Sequence, residues 1–280
     1  MMTADTDLQG VKLHILLAAG LTVLAAACGS IPAQRGAAPV TDGPPNYPVD
    51  LATVADAMPQ LEPLSRYGNP DSYVVEDHRY DVLTSSAGYV ERGIASWYGT
   101  KFHGRRTSSG ETYDMYAMTA AHRTLPIPTY AQVTNLLNGR RVVVKINDRG
   151  PFRDNRLIDL SFAAASKLGI TDDGTGIVEV RAIDPATSAA TQAQVELPDI
   201  SPSKPGLYLQ LGAFSQAENA ARLRDRLDGR VPGVIRVVRT ESGQQPLFRV
   251  RIGPLEDVEE ADRVSRDLVV MGFDTRVVVD

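Results

Sequence analysis

RVVVKINDRGPF, residues 141–152, is the stretch from which the fold is read. Its β-branched start suits an extended, half-buried strand. Gly150 and Pro151 then end the run in a turn. Asp148 closely follows the apolar part of the strand and precedes that turn, a position both exposed to ligand and held by the framework. Working outward, three more short runs share the pattern: IASWY at 94–98, YAQV at 130–133 and GIVEV at 176–180. A single helix candidate, 161–168, interrupts them. Short strands punctuated by glycine, with one small helix, favour a compact β-barrel over 88–183 rather than a parallel α/β sheet.

The block 205–280 repeats itself. LYLQLG at 207–212 precedes a helix pattern at 216–227 and a strand at 234–238; LFRVRIG at 247–253 precedes a helix pattern at 258–271 and a strand at 275–279. The order βαββαβ is the ferredoxin-like arrangement, a four-stranded antiparallel sheet with both helices on one face. Strand alternation then sends Leu209, Leu211, Val250 and Ile252 toward the helices. Tyr208, Gln210, Arg249 and Arg251 are left on the open face, where they are either a binding surface or ordinary solvated strand residues. Residues 184–204 read as a linker. Upstream, 28–87 is proline-rich and lacks sustained hydrophobic periodicity, and is expected to be a disordered tether, extended rather than packed.

A net charge of -5 and a pI near 5.5 argue against nucleic acid as a partner. The lone cysteine, Cys28, ends the apolar run ILLAAGLTVLAAA at 15–27. That run is too short to span a bilayer at about 20 residues per helix. It fits a secretory leader over 1–27, with Ala25-Ala26-Ala27-Cys28 as a lipobox and Cys28 as the lipidated first residue of the mature chain. The alternative is an ordinary leader with an incidental cysteine. Gly29 after the cysteine favours outer-membrane sorting, on the periplasmic face, in a cell with two membranes. The histidines His14, His78, His103 and His122 show no paired ligand spacing, so neither a metal nor another cofactor is expected.

Six segments of the middle block occur in a family's order and spacing: ASWYG at 95–99, FHGRRT at 102–107, GETYD at 110–114, AAHRTLP at 120–126, NDRGPF at 147–152 and RLIDLS at 156–161. Together they resemble the rare lipoprotein A (RlpA) family. The resemblance implies a six-stranded double-psi β-barrel and an endolytic lytic transglycosylase, which cleaves the MurNAc–GlcNAc β-1,4 bond of peptide-free peptidoglycan strands and leaves 1,6-anhydroMurNAc ends. It puts the acid/base on Asp148, with Glu111 and His122 as further functional residues. The terminal block resembles SPOR domains through 208–214 and 248–254. That resemblance implies binding of peptidoglycan glycans stripped of stem peptides, an envelope location enriched at the division septum, and divisome or amidase proteins as candidate partners.

Each of these residues also has a plainer reading. Asp148 can be a turn-capping aspartate, Glu111 a solvated charge and His122 a hydrogen-bonded core histidine. Asp159 is expected to N-cap the helix near Ser161. It is also the second candidate for the acid, because expansin barrels carry an important Asp in a similar Asp-Leu-Ser context. Trp97 and Tyr98 can stack on sugars or fill the core. The rival functions are an expansin-like glycan-binding lipoprotein without cleavage and a structural wall-binding lipoprotein. An RNA-binding domain shares the terminal topology, but that block lacks paired base-stacking aromatics and a basic excess.

Overall fold

The computed structural model describes residues 41–47, 49–51, 53–186, 205–242 and 245–280. The leader, Cys28 and most of the expected linker lie outside the described residues. Strands β3 (Val90–Tyr98), β4 (Thr119–His122), β5 (Thr129–Asn135), β6 (Arg141–Asp148), β7 (Ile158–Ser161) and β8 (Thr175–Ile183) close a barrel in the order β3-β7-β4-β6-β5-β8. The β3/β7 and β4/β6 neighbours are parallel; the other pairs are antiparallel. Alternation decides what fills the barrel. Val142, Val144 and Ile146 of β6 join Ala120, Ile158, Leu160, Val178 and Val180 in one buried cluster, while Val143 and Lys145 turn outward.

Helix α1 (Phe162–Leu168) is N-capped by Ser161, whose hydroxyl accepts from the Ala164 amide, and ends at Gly169 in the left-handed region at φ 75°. Asp159 was expected in the capping role. It lies two residues too early, inside β7, where a strand conformation points its carboxylate across the sheet to the Ser96 hydroxyl.

A second correction concerns the tether. Over its described part, the stretch expected to be extended is packed. Leu51 is buried in the barrel cluster, with Val49, Val54 and Ala57 against it. Asp56 accepts from the Val143 amide (2.8 Å) and pairs with Lys167. The Asn69 amide group brackets the backbone of Ile127. Strands β1 (Ser72–Val75) and β2 (His78–Asp81) form a hairpin, turned by Glu76 and Asp77 at φ 47° and 64°, the left-handed pair that a tight hairpin requires. The fixing groups are short polar side chains meeting backbone donors and acceptors. Hydrophobic periodicity does not register such contacts.

The terminal block has the expected order: β9 (Leu207–Phe214), α2 (Ala217–Leu227), β10 (Ile235–Ser242), β11 (Gln245–Leu255), α3 (Val258–Val270) and β12 (Arg276–Val279), with strands arranged β10-β11-β9-β12. Leu207, Leu209 and Ile252 pack against Leu227, Ala261, Val264 and Leu268, and Val250 is buried as well. On the other face Arg249 donates to the Gln210 side chain (3.2 Å) and Arg251 pairs with Asp280 (2.8 Å). Two ion pairs join this block to the barrel: Arg156 with Asp262 of α3 (2.6 Å) and Arg276 with Glu91 of β3 (2.9 Å).

The packed arm leaves no room for a side chain where it meets the barrel. The Asp42 carboxylate accepts from the amides of Gly99 and Lys101, and a Cβ on Gly99 would stand 2.1 Å from the Gly43 carbonyl oxygen. Gly99→Ala is therefore expected to release the arm while the closed barrel survives. The loss should be about 1–3 kcal/mol, the usual range for overpacking. Limited proteolysis read by mass spectrometry should show faster cuts within 41–57. An arm as resistant as in the wild type would refute the contact.

Candidate active site

The site is a row of residues across the outside of four strands. Ala121 of β4 is the register partner of both Asp148 of β6 and Asp159 of β7, and Asp159 in turn faces Ser96 of β3. Direct partners project to the same side of a sheet, so two carboxylates flank a methyl group. Their backbones are about 10 Å apart, two inter-strand spacings. The small side chain between them is buried against Tyr98, Tyr113 and Met115 and forms the floor of the cleft between the two carboxylates.

Asp148 is fixed through one oxygen. Its Oδ1 accepts from the Ser108 amide (2.8 Å), the Ser108 hydroxyl (2.7 Å) and the Arg149 amide (2.8 Å). Among the described residues no protein hydrogen bond reaches Oδ2. The Arg149 guanidinium turns away from the cleft to the carbonyls of Gly68, His122 and Leu125 and to the Asn69 side chain. It braces the loop, and among the described residues no ion pair joins it to the Asp148 carboxylate.

Glu111 is brought beside the same strand end. Its Oε1 accepts from Lys145 (3.0 Å) and its Oε2 from Asn147 (2.6 Å). Lys145 also holds Glu62 of the arm at 2.9 Å. Burial works against the Lys145 charge, but hydrogen bonds and charges from Glu62 and Glu111 hold the ammonium above its ordinary range. Nearly half of the Glu111 side chain, 46%, stays open to solvent. Glu111 is thus clamped by its partners and still accessible.

On the far wall, burial pushes the Asp159 carboxyl above the usual carboxylate range. The Ser96 hydroxyl, 2.5 Å away, and the Arg156 charge pull it down, and the Asp42 carboxylate adds to the upward push. Tyr98 belongs to the packing rather than to the cleft surface, since it is buried and stacks on Tyr113 at 4.1 Å. Trp97 packs on Phe162 at 5.5 Å. Among the described residues no group of three His, Cys, Asp or Glu side chains is set to hold a metal ion.

His122 is not brought to Asp148. Its neighbour Ala121 faces the cleft, and the ring turns to the other side of β4, 2% exposed. There Nδ1 accepts from the amides of Thr124 (3.2 Å) and Leu125 (3.1 Å). With Nδ1 so occupied, the ring proton sits on Nε2 and is donated to the Tyr89 hydroxyl at 2.9 Å. That hydroxyl in turn donates a hydrogen bond to Glu91. Sequence reasoning missed Ser96, Ser108, Lys145 and Asn147. The small polar run Thr107-Ser108-Ser109-Gly110 before Glu111 was the available signal for Ser108.

Burial, with Arg123 and Arg149 nearby, lowers the His122 pKa to about 3. The unfolded chain takes up this proton below about pH 6.5, where the folded barrel still refuses it. Stability is therefore lost as pH falls through the window from 6.5 toward 3, at up to about 1.4 kcal/mol per unit. His122→Asn keeps an acceptor for the two amides and removes the titration. From about pH 7.5 to about pH 5 it should gain on the wild type by roughly 2 kcal/mol in denaturant melts. Parallel curves would show that His122 does not set the acid limit.

Two family models match the chain in succession: "Lytic transglycolase" over residues 90–182 and "SPOR domain" over residues 203–278. The "Endolytic peptidoglycan transglycosylase RlpA" of Pseudomonas aeruginosa (strain UCBPP-PA14) is 39% identical over 282 residues, covering 83% of this chain and 82% of that protein. The protein of the same name from Vibrio cholerae serotype O1 is 52% identical over 142 residues, 51% of this chain and 54% of its own. A crystal structure of the RlpA SPOR domain from Pseudomonas aeruginosa is 32% identical over 26% of this chain and 97% of its own, with a TM-score of 0.25. With 39% identity spread over most of both sequences and the two domain matches in succession, the chain belongs to the RlpA family of lytic transglycosylases.

Proposed function

We propose that the chain cleaves peptide-free peptidoglycan strands at the β-1,4 bond between MurNAc and GlcNAc, with Asp148 as acid and then base, leaving 1,6-anhydroMurNAc ends. The observation that carries this is the asymmetry of Asp148: one oxygen is pinned by three donors, and among the described residues the other has no protein hydrogen-bond partner. Protonated on Oδ2, Asp148 gives its proton to the glycosidic oxygen as the bond from that oxygen to C1 breaks. The C6 hydroxyl of the same MurNAc attacks C1 and returns a proton to Oδ2. No water enters the product. Because nucleophile and electrophile belong to one sugar, the entropic cost of bringing them together is already met. Glu111, held open by Lys145 and Asn147, is suited to accept hydrogen bonds from substrate hydroxyl or amide groups. His122 acts through the framework, by holding the 122–125 turn.

Asp159 supports a second assignment of the acid. Its carboxyl is held above the usual range, as a proton donor near neutrality must be. In the remaining envelope reading, Cys28 carries a lipid anchor to the periplasmic face of the outer membrane, and the open sheet face with Tyr208, Gln210, Arg249 and Arg251 gathers the enzyme on denuded strands at the septum. Divisome or amidase proteins would then be its neighbours.

Two outcomes check these assignments. Asp148→Asn should bind glycan and fold as the wild type does, yet lower release of anhydro ends, read by mass spectrometry, by about 10²- to 10⁴-fold. Full activity there beside a dead Asp159→Asn would transfer the acid role to Asp159, and intact glycans with the wild type would leave only the binding readings. For the terminal domain, replacing Gln210, Arg249 and Arg251 together by alanine should abolish septal enrichment of a fluorescent fusion. Unaltered enrichment with the domain folded would exclude this sheet face as the glycan site.

A further inference from the structure

The hairpin of β1 and β2 carries two tyrosines beside the loop that follows Asp148, and that loop sends an aromatic ring to meet them. Tyr73 and Tyr80 stack at 5.3 Å. The Phe152 ring lies edge-on to Tyr73 at 6.1 Å and tilted against Tyr80 at 5.8 Å. Phe152 nevertheless remains 37% exposed. A large apolar ring held by two neighbours and still open to water has a surface available for a ligand.

Its position relative to the cleft is fixed by Gly150. A Cβ at that glycine would lie 3.9 Å from the Ala121 methyl and 3.9 Å from a Phe152 ring carbon. The ring therefore borders the cleft floor, with the bare glycine backbone between them. Tyr80 supplies the polar side of the same patch. The Tyr73 hydroxyl is occupied by the Arg123 carbonyl, but among the described residues no hydrogen bond engages that of Tyr80. The Arg123 guanidinium sits 5.8 Å from the Tyr80 ring centre, and among the described residues its hydrogen bond goes to the Arg156 carbonyl. It retains N–H donors for a ligand.

We infer that Phe152 and Tyr80 form a saccharide subsite that continues the cleft and takes one pyranose ring of the glycan strand, the C–H face of the sugar on Phe152 and its hydroxyl rim toward Tyr80 and Arg123. A pyranose is apolar on its faces and polar at its edge, as this patch is. The inference rests on the cleft being the glycan-cleaving site. It adds that a sugar outside the scissile pair is gripped by a hairpin from the segment upstream of the barrel.

The test uses the full chain and peptide-free glycan strands of graded length. Phe152→Ala should raise KM by roughly three- to tenfold on long strands, with kcat little changed, and should have no effect on strands too short to reach the patch. Phe152→Trp should restore KM. Because the chain has one native tryptophan, it also reports locally: its fluorescence should shift when strands are added, and Tyr80→Phe should weaken that shift. A fluorescence response from a chain that releases no anhydro ends would overturn the transglycosylase reading and sustain the subsite. Normal cleavage with an unmoved KM and a silent tryptophan would overturn the subsite. An effect confined to strands that keep their stem peptides would overturn it too, in favour of a peptide pocket.

Discussion

The site depends on one irregularity in β6. Ala120 of β4 pairs with Ile146, and the next residue, Ala121, pairs with Asp148, so the partner strand passes over Asn147. Ile146 points into the barrel. Strict alternation from it would bury Asp148 among Ala120, Leu160 and their apolar neighbours, at the cost of a desolvated carboxylate. The extra residue reverses the parity, as a bulge does. Asn147 and Asp148 both come to the outer side, one to hold Glu111 and the other to face the cleft. The row across β6, β4, β7 and β3 exists because the register slips by one at this point.

Much of this was legible in the sequence. Four strand runs, the small helix and the βαββαβ repeat follow from period-two and helical patterns, and they recur in the structure with ends shifted by a few residues. The short pieces β4 and β7 did not show, because four residues give too little periodicity and both lie inside segments rich in polar side chains. The arm was misjudged for a related reason. Asp42, Asp56, Glu62 and Asn69 attach it by hydrogen bonds and charge, while its prolines and low apolar content look like an unfolded linker. For His122 the sequence left two readings open, and the structure shows the ring buried with Nδ1 accepting from two backbone amides.

Among the described residues the barrel and the terminal domain are joined by ion pairs. Arg156, 3% exposed, gives both terminal nitrogens to Asp262. A pair this buried offsets its own desolvation only when its geometry is good, so its presence is weak evidence for net stability. Arg276 meets Glu91, the last member of the chain of hydrogen bonds that begins at His122 and passes through Tyr89. A buried imidazole in the barrel is thus linked by three hydrogen bonds to a strand of the other domain. Each member is a hydrogen-bond partner of the next, which gives His122 a structural reason to be present.

The two carboxylates of the cleft differ in what holds them, and the difference bears on which one moves protons. Asp159 is set back from solvent, and the short bond from Ser96 occupies its Oδ1. Burial favours its protonated form and the hydroxyl favours the ionised one. Asp148 stands at the strand end with its backbone continued by a turn, its Oδ1 saturated and its Oδ2 available. A proton delivered to a glycosidic oxygen must come from an atom the sugar can reach, and geometry precedes acidity in that choice.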